Sequence, residues 1–472
     1  MDVHGGGSTV PRVVDTVNGS IAIDMGGLMP GELPVVVIGA GPVGLAAAAH
    51  LTQHEIPVVV LEAGDRAGTA VAQWNHVRLF SAWSELIDPA AEKLLDAAGW
   101  QRPAPTAYPS GADWVDDYLA PLAAALKDRI RYGVRVTGVA RRGRDRVVDA
   151  GRETEPITVH ADTQAGEERF SARAVIDASG TWMSPNPLGG DGLPAMGERA
   201  HADRIAYRVP NLADAEVRAR YAGRRIAIAG SGHSALTAIV ALVDVAKEHP
   251  GTEILWLLRR GAVGAVFGGG DADQLPARGA LGQRAKAAAE AGHVRTVTGF
   301  RTSDVTTTAD GRLVLESFDG HQLEPVDEIV VLTGFRPDLS TLSEVRLDLD
   351  PVLEAPRRLA PLIDPNVHSC GTVYPHGVAE LTQPEPNVYV VGMKSYGRAT
   401  TFLAMTGYEQ VRSIVAELAG DHEAAARVEL TLPETGVCGG AGVFDDPAES
   451  AGGGCCAPAG PQLVQIGFPE RS

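Results

Sequence analysis

The chain writes one local pattern twice, and that repetition constrains its fold more than any other feature. The pattern is a short apolar strand, a glycine turn and an alanine-rich helix. The first copy, PVVVIGAGPVGLAAAAHLTQHEIPVVVLEAGDR, runs from Pro34 to Arg66, and the second, RRIAIAGSGHSALTAIVALVD, from Arg224 to Asp244.

In the first copy Gly39, Gly41 and Gly44 fall in G-x-G-x-x-G spacing directly after the strand. Gly39 allows the tight turn, Gly41 lets the backbone approach a pyrophosphate, and Gly44 lets helix and strand pack closely, with Ala40 and Pro42 completing the turn. The helix amino terminus then faces the negative charge. Glu62, eighteen residues beyond Gly44 at the end of the next strand, is placed to accept hydrogen bonds from a ribose, and Arg66 follows it. In the second copy Gly230 and Gly232 keep the spacing, Ala235 replaces the third glycine, and Ser231, His233 and Ser234 fill the turn and open the helix. Its following strand, EILWLL, ends in Arg259 and Arg260 where the first copy ends in an acid. Arginine there suits a 2′-phosphate. One site for an unphosphorylated ribose and one for a 2′-phosphate imply two dinucleotides, FAD in the first and NADPH in the second.

Short Val/Ile/Leu runs alternate with helical stretches, which is the pattern of parallel sheets covered by helices. Strands are expected at Val35 to Ile38, Val58 to Leu61, Ala174 to Ile176, Ile226 to Ala229, Ile254 to Leu258, Ile329 to Leu332 and Val388 to Val391. The expected fold class is α/β, with two Rossmann-like dinucleotide-binding domains and the NADPH domain inserted into the FAD domain. The expected divisions are a glycine-rich tail at 1–33, FAD-binding parts at 34–200 and 336–430, an NADPH-binding domain at 201–335, and a Gly/Ala-rich tail at 431–472.

These residues resemble the two-dinucleotide-binding-domain flavoproteins, and within them the flavin-containing monooxygenases. VIDASGTWMSPNP (Val175 to Pro187) is similar to the segment that returns the chain toward FAD, which implies roles for Ser179 and Gly180. IVVLTGFRPDLS is similar to a second such segment and implies one for Gly334, and the strand around Val136 resembles the one that holds the adenine. NVYVVGMKSYGRATTFLAMTGYEQVRSIVAEL resembles the closing FAD element, with Gly392 in its turn. More narrowly, the stretches around Cys370 and Gly392 resemble flavin-binding monooxygenases found beside arsenic-resistance genes. The departures are specific. Gly197 and His201 keep only part of the monooxygenase fingerprint, Ala195 standing where it has phenylalanine, and Ser81 and Ala82 stand where the family places an asparagine near the flavin. The redox-active C-x-x-C or C-x4-C pair of the disulfide reductases is missing from the ribose-acid region and from the span Gly223 to Asp338.

Cys370 sits between His368 and His376. A histidine two residues away would favour a reactive thiolate, and the three side chains could instead hold a soft ion. The reading that this proline- and glycine-shaped loop favours is a buried, inert cysteine, and Cys370, with His368, stands as the candidate for chemistry outside the flavin. The other thiols, Cys438, Cys455 and Cys456, lie in the terminal tail. Thiolates suit a thiophilic ion such as trivalent arsenic, although incidental cysteines in a loose tail are the simpler reading.

Composition narrows the partners. With 41 basic and 59 acidic side chains, a net charge of -18 argues against nucleic acid and anionic membrane and leaves a small-molecule substrate. Four cysteines in 472 residues are too few for a disulfide scaffold, and the first residues carry no basic and apolar signal, so a cytoplasmic location is expected. The reading that results is an NADPH-oxidising, FAD-dependent oxidoreductase acting as a monooxygenase on a soft nucleophile. A reductase of a thiol, quinone or metalloid and a flavin-bearing metalloid-binding protein remain as alternatives, and neither substrate nor oligomeric state is legible.

Overall fold

The computed structural model describes residues 33–273, 275–366, 376–399 and 402–430. Two five-stranded parallel sheets organise them. The first has the spatial order Val388–Val390, Ala174–Asp177, Val35–Ile38, Val58–Leu61, Ile130–Arg131. The second has the order Arg295–Val297, Glu253–Leu257, Arg225–Ala229, Glu328–Val331, Ile205–Ala206. In each, the strand that enters a glycine turn is central, flanked on one side by the strand after its helix and on the other by a strand that returns later. The second sheet lies in sequence between Ala174–Asp177 and Val388–Val390 of the first, so one unit is inserted into the other.

Each sheet is covered on both faces, which explains why its central strands are continuous apolar runs rather than alternating ones. Val35, Val36 and Val37 are fully buried. On one face of the first sheet lie the helices Pro42–Gln53 and Ala404–Leu418, and on the other the antiparallel strands Arg135–Arg141, Ile157–Thr163 and Gly166–Ala172. The second sheet repeats the plan, with helices His233–Glu248 and Pro276–Glu290 on one face and the antiparallel pair Thr302–Thr307 and Leu313–Ser317 on the other.

All seven expected strands form, each within one residue of its expected bounds. The strand at Ala174 runs one residue further, to Asp177, which puts a carboxylate in register with Ile38 inside the sheet. Among the described residues, no helix is long and apolar enough to cross a membrane.

Candidate functional site

Both glycine turns leave the carboxyl ends of central strands, where open α/β sheets place their ligands. The glycines of the first turn have three different local causes. Gly39 adopts φ +97°, a left-handed conformation, and a Cβ there would sit 3.0 Å from the Ala178 carbonyl oxygen. A Cβ on Gly44 would fall 1.9 Å from the Gly39 carbonyl oxygen, so helix and turn touch through bare backbone. Gly41 is extended, and a Cβ there would meet nothing within 4 Å. The second turn repeats this: Gly230 has φ +133° against the Leu332 carbonyl, Gly232 opens on free space, and Ala235 is fully buried.

The helices after these turns, Pro42–Gln53 and His233–Glu248, have no side-chain cap and no acidic residue in their first turns. Their first backbone N–H groups therefore lack the side-chain partners that usually satisfy them, in front of space left by Gly41 and Gly232. That combination fits a pyrophosphate at each turn.

Glu62 lies over the first turn, where its carboxylate accepts the N–H groups of Ala40 at 2.7 Å and Gly64 at 2.8 Å. Two carboxylate oxygens offer about four lone-pair sites, so capacity for a ribose remains. Arg66 is exposed, and Val136 occupies an irregularity in the strand Arg135–Arg141. Ser179 donates from both its N–H and its Oγ to Asp177 Oδ1, at 3.0 and 2.6 Å, and Gly180 follows with φ +71° and open space beside it. Gly334 turns at φ +93° beside Asn186. Gly392, at φ +67°, packs against Val43 of the first turn's helix and donates its N–H to Gln410 Oε1 at 2.7 Å. Gly407 meets the same Val43 side chain, which ties the closing helix Ala404–Leu418 to the first turn.

Around the second turn, Ser231 is half-buried, Ser234 is exposed, and the His233 ring faces Phe80 of the first unit with centroids 5.2 Å apart. Burial, aided by nearby Arg278 and opposed by Asp273, drives the His233 pKa down to about 4. Arg278 and Asp273 themselves form a buried ion pair at 2.7 Å. Arg259 is exposed and Arg260 half-buried, just past the strand Glu253–Leu257, in the order the fingerprint requires.

Further residues join the two units. Trp182 donates its indole N–H to Gln73 Oε1 at 2.8 Å, Arg208 stacks over its ring at 4.6 Å, and Phe335 lies 5.0 Å from it. His76 donates Nε2–H to the Val209 carbonyl at 3.0 Å. Sequence reasoning missed these, together with Asp177, Lys394 and Gln410; a charged residue at the end of an apolar run was the one available signal for Asp177 and Lys394.

The partial monooxygenase fingerprint has a packing role. A Cβ on Gly197 would lie 2.1 Å from the Val305 carbonyl oxygen. Glu198, buried beside it, accepts the N–H groups of Leu188 and Ala195 and the hydroxyl of Tyr207. His368, Cys370, Cys438, Cys455 and Cys456 lie outside the described residues. Among those described, no group of three or more His, Cys, Asp or Glu side chains is placed to hold a metal ion.

A family model described as pyridine nucleotide-disulphide oxidoreductase matches residues 36–370. Ferredoxin–NADP reductase 1 of Cupriavidus necator is 25% identical over 319 residues, covering 67% of this chain and 74% of that protein. The bacillithiol disulfide reductase of Bacillus cereus aligns with TM-score 0.60 and 18% identity over 82% of this chain and 99% of its own. The FAD-bound cadaverine monooxygenase of Erwinia amylovora aligns with TM-score 0.58 and 13% identity over 85% of this chain and 97% of its own. Likeness to solved structures at these identities speaks to the fold.

Proposed function

Because the chain belongs to the pyridine nucleotide-disulphide oxidoreductase family, we propose that it oxidises NADPH with FAD as its resident cofactor and acts as a monooxygenase on a soft nucleophile. The pair of unequal turns supports the choice of FAD and NADPH, and the resemblance to flavin monooxygenases supports the oxygenation. Both turns open on free space before an uncapped helix, and one is followed by a carboxylate and the other by two arginines.

Residues 34–200 and 336–430 form the FAD unit in this reading, and 201–335 the NADPH unit. Gly39, Ala40, Gly41, Pro42 and Gly44 cradle the FAD pyrophosphate and Glu62 takes the ribose. Arg66, Val136, Ser179, Gly180, Gly334 and Gly392 border the same cofactor. Gly230, Ser231, Gly232, His233 and Ser234 cradle NADPH, with Arg259 and Arg260 on its 2′-phosphate. Bound FAD supplies the hydride acceptor and the reactivity of its reduced form toward an acceptor. Phe80 packs against His233 where the two units meet.

A reductase that passes the electrons to a thiol, quinone or metalloid is the second reading. It is favoured by the similarity to a ferredoxin–NADP reductase and by Ser81 and Ala82 standing where the resemblance calls for asparagine. A link to arsenic rests on the resemblance around Cys370 and Gly392 and on the tail thiols. NADPH consumption by the purified protein, with and without oxygen and then with arsenite or methylated arsenicals, separates the readings. Monooxygenation requires oxygen-dependent consumption and a product that gains one oxygen atom. Unchanged consumption without oxygen, in the presence of an acceptor, overturns it in favour of the reductase.

A further inference from the structure

We propose that the buried pair Asp177–Lys394 is a clasp that orients the two turns closing around FAD, so that Lys394 is a positioning residue for the cofactor. The proposal rests on the assignment of FAD to the first glycine turn.

Asp177 ends the strand Ala174–Asp177 opposite Ile38, the residue before Gly39, and the Ala178 N–H donates to the Ile38 carbonyl at 3.0 Å. On its other side Asp177 pairs with Val390, two residues before Gly392. Lys394 reaches back across this strand end and donates from Nζ to Asp177 Oδ2 at 2.6 Å and to Ser179 Oγ at 3.0 Å. The other carboxylate oxygen holds the Ser179 N–H and hydroxyl. One carboxylate therefore sets the direction of the turn at 178–180 and, through Lys394, of the segment at 392–396. Both turns contain a left-handed glycine, Gly180 and Gly392. Gln410 secures the second turn further: its Oε1 accepts the Gly392 N–H, so its Nε2 must donate to Ser395 Oγ and to His376 Nε2.

Stability does not explain the pair. Asp177 is 0% and Lys394 3% exposed, and the strand residues paired with Asp177 are Ile38 and Val390. The cost of desolvating two such charges cancels most of their attraction, and apolar replacements of similar volume are commonly neutral or stabilising. What the charges add is direction, because a carboxylate with fixed donors on both oxygens allows one arrangement of the two turns and apolar side chains allow several.

The test uses the full-length protein. Lys394→Met alone leaves Asp177 buried and uncompensated, so the decisive variant is the double replacement Asp177→Val/Lys394→Met. Its apoprotein is expected to melt close to wild type and to bind NADP+ as wild type does. Its FAD dissociation constant should rise about tenfold or more, the equivalent of one lost hydrogen bond to a charged group, and the visible spectrum of its bound flavin should shift. Lys394→Arg, which keeps the charge and the donors, should retain more FAD affinity than the double variant. A double variant with wild-type FAD affinity and spectrum overturns the proposal, as does one that fails to fold, since the pair would then serve stability. Wild-type protein that binds no FAD instead removes the first-turn assignment on which the clasp depends.

Discussion

Replacing Gly41 or Gly44 by alanine adds the same methyl group three residues apart, with opposite consequences. At Gly44 the new Cβ would lie 1.9 Å from the Gly39 carbonyl oxygen, so helix and turn must separate. Overpacking of this severity falls at the upper end of its usual cost, about 3 kcal/mol, and should lower the apoprotein melting temperature by several degrees. At Gly41 the Cβ meets nothing within 4 Å and the backbone is already extended, so the apoprotein tolerates it. Gly41 is the N-cap of the helix Pro42–Gln53, where alanine is less favourable than glycine, so the apoprotein should lose no more than about 1 kcal/mol. The methyl group instead occupies the space through which the backbone approaches the pyrophosphate. Losing charge-assisted contacts there costs roughly 1.5–3 kcal/mol, a ten- to hundredfold rise in the FAD dissociation constant. Thermal melts of both apoproteins and FAD titrations followed by flavin fluorescence measure the two effects separately. A Gly41→Ala variant that binds FAD like wild type, or that is destabilised as much as Gly44→Ala, refutes the division of roles between these glycines.

Arg259→Ala and Arg260→Ala together should raise the NADP+ dissociation constant ten- to hundredfold, roughly 1.5–3 kcal/mol, with little change for NAD+. Equal affinity of wild type for both nucleotides excludes a 2′-phosphate contact. His233 is held at a pKa of about 4 against an ordinary 6.5, so the unfolded chain takes up its proton first as the pH falls. The stability this group contributes is complete above pH 6.5 and is lost toward pH 4, by about 3 kcal/mol at most. The stability difference between wild type and His233→Gln, measured by denaturant melts, should therefore shift across that window, and a flat difference counts against the buried neutral imidazole. Glu385 joins Arg141 and Arg152, at 2.7 and 2.6 Å, with all three side chains nearly fully buried. Glu385→Gln should destabilise the apoprotein by about 3–5 kcal/mol, because both guanidinium groups lose their counter-charge. A variant that unfolds at the wild-type denaturant midpoint contradicts this.

The features legible in the sequence are local ones. A glycine turn between a valine run and an alanine-rich helix announces itself within about thirty residues, as in Pro34 to Arg66, and the strand positions followed from the same short-range contrast. The two-residue strand Ile205–Ala206 is too short to carry a period, and its place at the edge of the second sheet is set by its partner Glu328–Val331. Long-range pairings were equally hidden. Lys394 and Asp177 are 217 positions apart, and nothing near either names the other. The contact of Phe80 with His233 depends on how the two units meet, which no spacing rule encodes. Glu62 was foreseen as a ribose acceptor, but its present hold on the Ala40 and Gly64 N–H groups was not, because a carboxylate's local partners depend on the fold of the turn.

The most direct measurement is an anaerobic titration of the purified, flavin-loaded protein with NADPH and, in parallel, with NADH. An equimolar amount of NADPH should bleach the visible absorbance of the bound FAD, whereas NADH should require a far higher concentration. Flavin that stays oxidised under excess NADPH, or a protein that neither carries FAD nor binds it when supplied, contradicts the assignment of the two turns.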